Sequence, residues 1–247
     1  MPSYQGGKVR LGRRIHKVIS DLEHDYYNGK KKTYFEPFVG MGGVLIHFAK
    51  ENNRKLVACD ANADIILMWQ SLQNGWTPPT KCTKEYYHIL KNANEHSAER
   101  GFIGTVCAWG GVFFSTYRID YVNRDIMTEG CNSLMKMKND MDNVLFLDAS
   151  SYEKFEPTDF TIYADPPYKN NALANPLFKK FDHERFWDKM REWSKNNLVI
   201  ISERVAPEDF VKIWTKESIT TTRSFTKRYD DNLYIHKDIY DIYKWSL

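Results

Sequence analysis

A parallel α/β sheet with helices on both faces is the fold class this sequence predicts, and three features carry the prediction. Strand-like apolar runs end in an aspartate: Leu56-Val57-Ala58-Cys59 before Asp60, Val144-Leu145-Phe146-Leu147 before Asp148, and Phe160-Thr161-Ile162-Tyr163-Ala164 before Asp165. Segments of helical period lie among them. A glycine-rich turn, Gly40-Met41-Gly42-Gly43, joins the first strand to a helix. Strand, glycine turn, helix, strand and acid in succession open a parallel sheet, because parallel neighbours need a crossover connection.

The elements follow in order. Ile15, Val18, Ile19 and Leu22 fall at i, i+3, i+4 and i+7, with Arg10, Arg14 and Lys17 on another side, so a first helix with a core stripe and a basic face is expected. Thr33-Tyr34-Phe35 predicts a short strand running into Glu36-Pro37-Phe38-Val39-Gly40, and a helix is expected over about Val44 to Lys50. After the three acid-terminated strands, Asp182 is placed to cap a helix whose Phe186, Met190 and Trp193 share one face. Leu198-Val199-Ile200-Ile201 predicts the next strand. Tyr234, Ile239, Ile242 and Trp245 among polar neighbours predict a closing antiparallel hairpin. Residues 69–143, helix-like and aromatic-rich, read as an inserted smaller lobe, which leaves 1–68 and 144–247 to build one sheet-bearing domain.

Composition sets the bounds. The chain has 247 residues, 42% hydrophobic and 27% charged, enough for a core and unlike a disordered chain. The net charge of +3 is mild but uneven: residues 1–32 hold eight Lys/Arg against three acids, whereas 69–147 hold eight of each sign. The longest apolar runs, Ile65 to Trp69 and Leu198 to Ile201, fall far short of the roughly 20 residues that span a bilayer. No apolar signal core follows Met1, so an intracellular, cytoplasmic protein is expected. Cys59, Cys82, Cys107 and Cys131 form no C-x-x-C pair, and the seven histidines are scattered, so reduced thiols and no metal site are expected.

Glycines at a strand-to-helix turn let backbone approach a ligand, and Asp60, twenty residues after Gly40, is placed to accept hydrogen bonds from ribose hydroxyls. A dinucleotide fingerprint would need glycine at 45, where Leu45 stands; a nucleoside lacking phosphate is the better fit. The strongest signal is Asp165-Pro166-Pro167-Tyr168 at the end of a β-rich run. Its two prolines stiffen the turn and remove two donors, leaving carbonyl acceptors and one carboxylate. That set suits an amine that presents hydrogens and then develops positive charge. Tyr168 adds a ring on which a heterocycle can stack.

These segments together resemble the Dam-like class of adenine-N6 DNA methyltransferases, in the compact form carried by phages and large DNA viruses. Tyr4-Gln5-Gly6-Gly7-Lys8 is similar to the family's N-terminal cofactor motif, Glu36-Pro37-Phe38-Val39-Gly40-Met41-Gly42 to its motif I, and Asp165-Pro166-Pro167-Tyr168 to its catalytic motif IV. Phe181-Asp182-His183 and Ile201-Ser202-Glu203 also resemble the phage forms; Tyr4 stands where Trp is commoner. The resemblance implies a Rossmann-like methyltransferase sheet with a mainly helical target-recognition lobe over 69–143. It implies S-adenosylmethionine contacts from Tyr4, Lys8, Glu36, Phe38, Gly40, Gly42, Asp60 and Asp165, with Asp148 and Ala149 bordering the cofactor's adenine. Catalysis falls to Asp165, Pro166, Pro167 and Tyr168, acting on an adenine flipped out of double-stranded DNA. A restriction endonuclease counterpart is compatible with the family.

For DNA contact the expected residues are Arg118 and Arg124, interleaved with Trp109, Phe113, Phe114, Tyr117 and Tyr121, most of which read as packing residues of the lobe. Lys227 and Arg228 read as part of a second, polar loop within reach of a phosphate. The same chemistry on RNA adenine, cytosine-N4 or protein glutamine is an alternative, which the resemblance disfavours through Asp at 165. A catalytically silent DNA-binding module of this fold is another.

Overall fold

The computed structural model describes residues 7–118, 124–168, 181–221 and 226–244, with the side chains of 218–221, 226–229, 243 and 244 excepted. Among the described residues one seven-stranded sheet has the order β3-β2-β1-β4-β5-β7-β6. Its strands are β1 (Thr33–Glu36), β2 (Leu56–Ala58), β3 (Val144–Phe146), β4 (Phe160–Ala164), β5 (Leu198–Glu203), β6 (Phe210–Thr221) and β7 (Thr226–His236). The first five run parallel, and β7 joins antiparallel to both β5 and β6.

Alternation within the strands sorts two cores. Tyr34, Tyr163, Leu198 and Ile200 face one side, where α1 (Gly12–Tyr26) contributes Ile15 and Ile19 and α2 (Leu45–Glu51) contributes Leu45 and Phe48. Phe35, Ile162, Val199 and Ile201 face the other, covered by Phe186, Met190 and Trp193 of α7 (His183–Ser194). Period 2 in the strands and period 3.6 in the helices thus place helices on both faces, as expected. Asp182 caps α7, accepting the Arg185 N–H at 3.0 Å, a contact worth about 1 kcal/mol.

Between β2 and β3 run α3 (Ala63–Gln73), α4 (Lys84–Asn92), α5 (Ala98–Val106) and α6 (Ile126–Met141). Asn62, Thr83, Ser97 and Asp125 cap them in turn. Phe102, Ile103 and Leu134 from this stretch share a buried cluster with Tyr34 and Leu56 of the sheet, and Asp64 of α3 pairs with Arg100 of α5 at 3.2 Å. Phe113 and Phe114 are buried, whereas Trp109 is 58% exposed; Tyr121 lies outside the described residues.

The chain's end differs from expectation. A closing hairpin exists, but β6 and β7 build it. Ile239 and Ile242 lie instead on α8 (Lys237–Lys244), and Trp245 lies outside the described residues. The ladder stops at the Phe210↔His236 pair, and the chain beyond pairs its own backbone as α8, with Ile239 buried in the cluster that holds Ile15 and Ile19 of α1 and Ile242 exposed. Among the described residues no helix is long and apolar enough to cross a membrane.

Candidate active site

The C-terminal edge of the sheet gathers the segments singled out above. After β1, Gly40 and Gly42 hold φ of 46° and 66°, a left-handed backbone that favours glycine. The turn is fastened at both ends: Gly42 N–H donates to Val39 O at 2.8 Å, and Trp69 Nε1 donates to Gly40 O at 2.9 Å. α1 begins at Gly12, where a Cβ would stand 2.0 Å from Gly43 O; this close approach lays the N-terminal segment on the turn. Lys8 O accepts from Leu11 N–H at 2.9 Å and from Gly12 N–H at 2.5 Å.

Asp60, buried at the end of β2, accepts Gly40 N–H on Oδ2 and Asn62 N–H on Oδ1, each at 2.9 Å. Its burial raises the carboxyl above the usual range, and those N–H groups oppose the rise. The acid expected to meet a ribose thus also shapes the glycine turn. Asp148 is exposed, but its neighbour Ser150 donates its N–H to Asp60 O at 3.1 Å, so the loop after β3 borders Asp60. Phe38 is half-buried, with its ring 5.2 Å from Tyr152 and 6.0 Å from Phe181.

Glu36 is 3% exposed and accepts the Tyr34 hydroxyl at 2.7 Å. Burial pushes its carboxyl up to about 8, Asp165 adds to the rise, and the Tyr34 bond opposes it. The folded chain therefore keeps a proton that an unfolded chain releases near 4.5. Folding stability is expected to fall as pH rises between those two values. Glu36→Gln should flatten that decline in urea melts taken across the same window; an unchanged profile would refute the assignment.

The tetrapeptide follows β4, and Lys8 reaches it. Lys8 Nζ donates to Asp165 Oδ1 at 2.8 Å and to the Tyr168 hydroxyl at 2.7 Å, and it lies 4.7 Å from the Tyr168 ring centre. Lys8 is 6% exposed and Asp165 17%. Burial works against the ammonium, but the adjoining Asp165 carboxylate outweighs it and holds the Lys8 pKa above its ordinary value. Burial likewise raises Asp165, with Lys8 opposing. Pro166 is buried and Pro167 half-buried.

Two residues without an assigned role complete the cluster. Ser202, near the end of β5, shares a 2.8 Å hydrogen bond with the Tyr168 hydroxyl, and the Arg204 guanidinium lies 5.6 Å from the ring centre. In the sequence Ser202 stands within Ile201-Ser202-Glu203, a segment that resembles the phage forms but assigns it no role. Arg204 carried no signal there. Tyr4 lies outside the described residues. Arg118 is half-buried, with its N–H on Cys107 O; Arg124 is exposed and paired with Glu129. Both sit far along the chain from the tetrapeptide, in the stretch between β2 and β3. Lys227 and Arg228 fall within strand β7 and not in a loop, and their side chains are not described.

Known proteins resemble the chain over much of its length. The family described as D12 class N6 adenine-specific DNA methyltransferase matches residues 4–127, a stretch that contains Lys8, the glycine turn and Asp60 and stops before the tetrapeptide. The type II methyltransferase M.MjaIII of Methanocaldococcus jannaschii is 23% identical over 216 residues, covering 72% of this chain and 73% of that one. The DNA adenine methylase of Haemophilus influenzae is 26% identical over 196 residues, covering 67% of this chain and 62% of that one, less than two thirds of its length. Among solved structures, TrmN from Thermus thermophilus aligns at 11% identity with a TM-score of 0.36, covering 90% of this chain and 48% of that one. With half of its length matched by one family, the chain belongs to the D12 class of N6 adenine-specific DNA methyltransferases.

Proposed function

We propose that the chain moves a methyl group from S-adenosylmethionine to the exocyclic amine of an adenine flipped out of double-stranded DNA, with Asp165 as the residue that makes the amine reactive. The carrying observation is the ammonium of Lys8 held 2.8 Å from Asp165 Oδ1. A nitrogen bearing hydrogens and positive charge is already accommodated there, and the methylated amine passes through such a state. Adenine's amine is a weak nucleophile because its lone pair is spread into the ring. Asp165 Oδ1 and the Pro166 carbonyl would accept its two hydrogens, favour a more tetrahedral nitrogen and offset the growing charge. Lys8 must withdraw from Oδ1 as the base arrives. The flip is needed because the amine of a stacked, paired base offers no line of approach to the donor.

The donor set at the glycine turn fits a nucleoside without phosphates. Asp60 supplies carboxylate lone pairs toward a ribose, Phe38 and Tyr152 supply aromatic walls, and Leu45 stands where a pyrophosphate fingerprint has glycine. When bound, S-adenosylmethionine supplies an electrophilic methyl on its sulfonium. Asp60→Ala is expected to weaken its binding by about 1–3 kcal/mol through lost hydrogen bonds to a charged acceptor. Calorimetric titration of the folded variant checks this, and unchanged affinity removes Asp60 from the ribose role.

Tyr168 has two parts to play. Its ring is assigned to stacking on the base, and its hydroxyl holds Lys8 and Ser202. Tyr168→Phe should retain stacking and lose about 1 kcal/mol of stability from its hydrogen bonds. Tyr168→Ala should also lose about 1–3 kcal/mol of base stacking. Single-turnover rates on matched and mispaired duplexes separate the two, because a loosened base costs less to extrude.

The stretch 69–143 is assigned to target recognition, with Arg118 and Arg124 toward the backbone. Each Arg→Ala variant should weaken duplex binding and leave S-adenosylmethionine affinity intact. Transfer of tritiated methyl to duplex DNA, with N6-methyladenine identified in the digest, tests the whole reading. Transfer to RNA but not to DNA would overturn it.

A further inference from the structure

We propose that the β6–β7 ribbon is a second DNA-binding element, an arm that lies in a groove of the duplex and holds backbone phosphates through Lys227 and Arg228. The proposal rests on the reading of the chain as a methyltransferase of duplex DNA and extends it to an element outside the 69–143 stretch. β5 pairs with β7 through Ile201↔Tyr234, Ser202↔Leu233 and Glu203↔Asn232, where β5 ends. From Lys216↔Asp231 to Thr221↔Thr226, β6 and β7 pair with each other beyond the end of β5. β5 runs parallel to β4, which leads into Asp165, and β7 runs antiparallel to β5. The unshared part of the ribbon therefore projects from the same sheet edge that carries the tetrapeptide.

Six ladder pairs make up this projection, and at about 3.4 Å per residue it extends roughly 17 Å. Two strands about 5 Å apart fit a major groove about 12 Å wide. Charge along the ribbon is graded. The two pairs nearest the sheet hold Lys216 with Asp231 and Glu217 with Asp230, a net negative charge. The four outer pairs carry Lys227 and Arg228, no acid, and the hydroxyl residues Ser218, Thr220, Thr221, Thr226 and Tyr229. A cationic end rich in hydroxyl donors is complementary to phosphate oxygens, which such side chains hold without reading sequence.

The root of the ribbon is tied to the active site. Asn232 Nδ2 and the Tyr234 hydroxyl donate to Arg204 O at 2.9 and 3.1 Å, and the Arg204 guanidinium lies over Tyr168. An arm resting on the duplex would thus be braced against the residue assigned to stack on the flipped base.

The experiment compares the 247-residue chain with its K227A/R228A variant. Duplex affinity is measured by fluorescence anisotropy over about 50–200 mM salt, where each phosphate contact contributes about 0.9 to the slope of log K against log salt. The variant should lose about 1.8 of that slope, equally on duplexes with and without the methylated sequence, and keep its S-adenosylmethionine affinity. A wild-type slope overturns the proposal. Should the variant misfold, amine-reactive labelling of the wild-type protein replaces it: duplex DNA should protect Lys227, and equal labelling overturns the proposal. Tritiated-methyl transfer to duplex DNA by the wild-type protein is run beside both. Without transfer the underlying reading falls and the arm with it; with transfer and an unaltered slope, the arm alone falls.

Discussion

Replacing Asp165 by alanine is expected to slow single-turnover methyl transfer about 10²–10³-fold at saturating DNA and donor, the scale of removing one preorganised group that stabilises developing charge. Asp165 is the tetrapeptide's single carboxylate, and the proposed mechanism has it hold the amine. The variant also leaves Lys8, 6% exposed, without its carboxylate, so a loss of fold has to be separated from a loss of chemistry. Asp165→Asn does that. It retains an acceptor oxygen of the same shape but no charge, so it should hold the base in place and still transfer slowly. If Asp165→Asn folds and matches the parent rate, charge at this position is irrelevant and the assigned mechanism is wrong. A split in which DNA affinity holds while the rate falls is the expected signature, because the interaction strengthens only as the amine becomes cationic.

The parts of this site that were legible in the sequence are those encoded locally. Asp60 and Asp165 each follow an apolar run, and a strand that ends in an acid can be read without knowing its neighbours. The Gly40 and Gly42 turn announces itself because residues with a Cβ avoid its backbone conformation. Lys8 is different. It lies 157 positions from Asp165, and nothing near it distinguishes it from the other lysines and arginines of a basic N-terminal stretch; resemblance to a family, not periodicity, drew attention to it. The Tyr168 hydroxyl was equally opaque, since its partners come from the N-terminal segment and from β5. At the chain's end, Tyr234, Ile239 and Ile242 stand among polar neighbours in a pattern loose enough to read as strand or as helix. What decided between them was the loss of a strand partner after His236, a tertiary fact.

The largest effect on stability is expected at Arg54, which holds one end of the scaffold under Lys8. Its guanidinium meets the Glu23 carboxylate in a two-pronged pair, at 2.7 and 2.5 Å, with both side chains 2% exposed. Glu23 also accepts the Thr161 hydroxyl at 2.5 Å and the Lys32 N–H at 3.2 Å, so α1 is stitched to β4 and to the residue before β1. Arg54→Met fills similar space but leaves a buried carboxylate uncompensated, and about 3–5 kcal/mol should be lost in urea unfolding at pH 7. Glu23→Gln/Arg54→Met removes the charge while keeping an oxygen for Thr161 and Lys32. It should recover most of that loss, because desolvating two ions offsets much of what their attraction contributes. If Arg54→Met unfolds within about 1 kcal/mol of the parent, the pair is not the anchor of α1 described here. The link to chemistry runs through the other end of the same helix, where Leu11 and Gly12 bind Lys8 O. A helix that loses its anchor at Glu23 should let Lys8 leave Asp165, so the single variant should also show a faster-exchanging Lys8 ammonium, which the double variant restores.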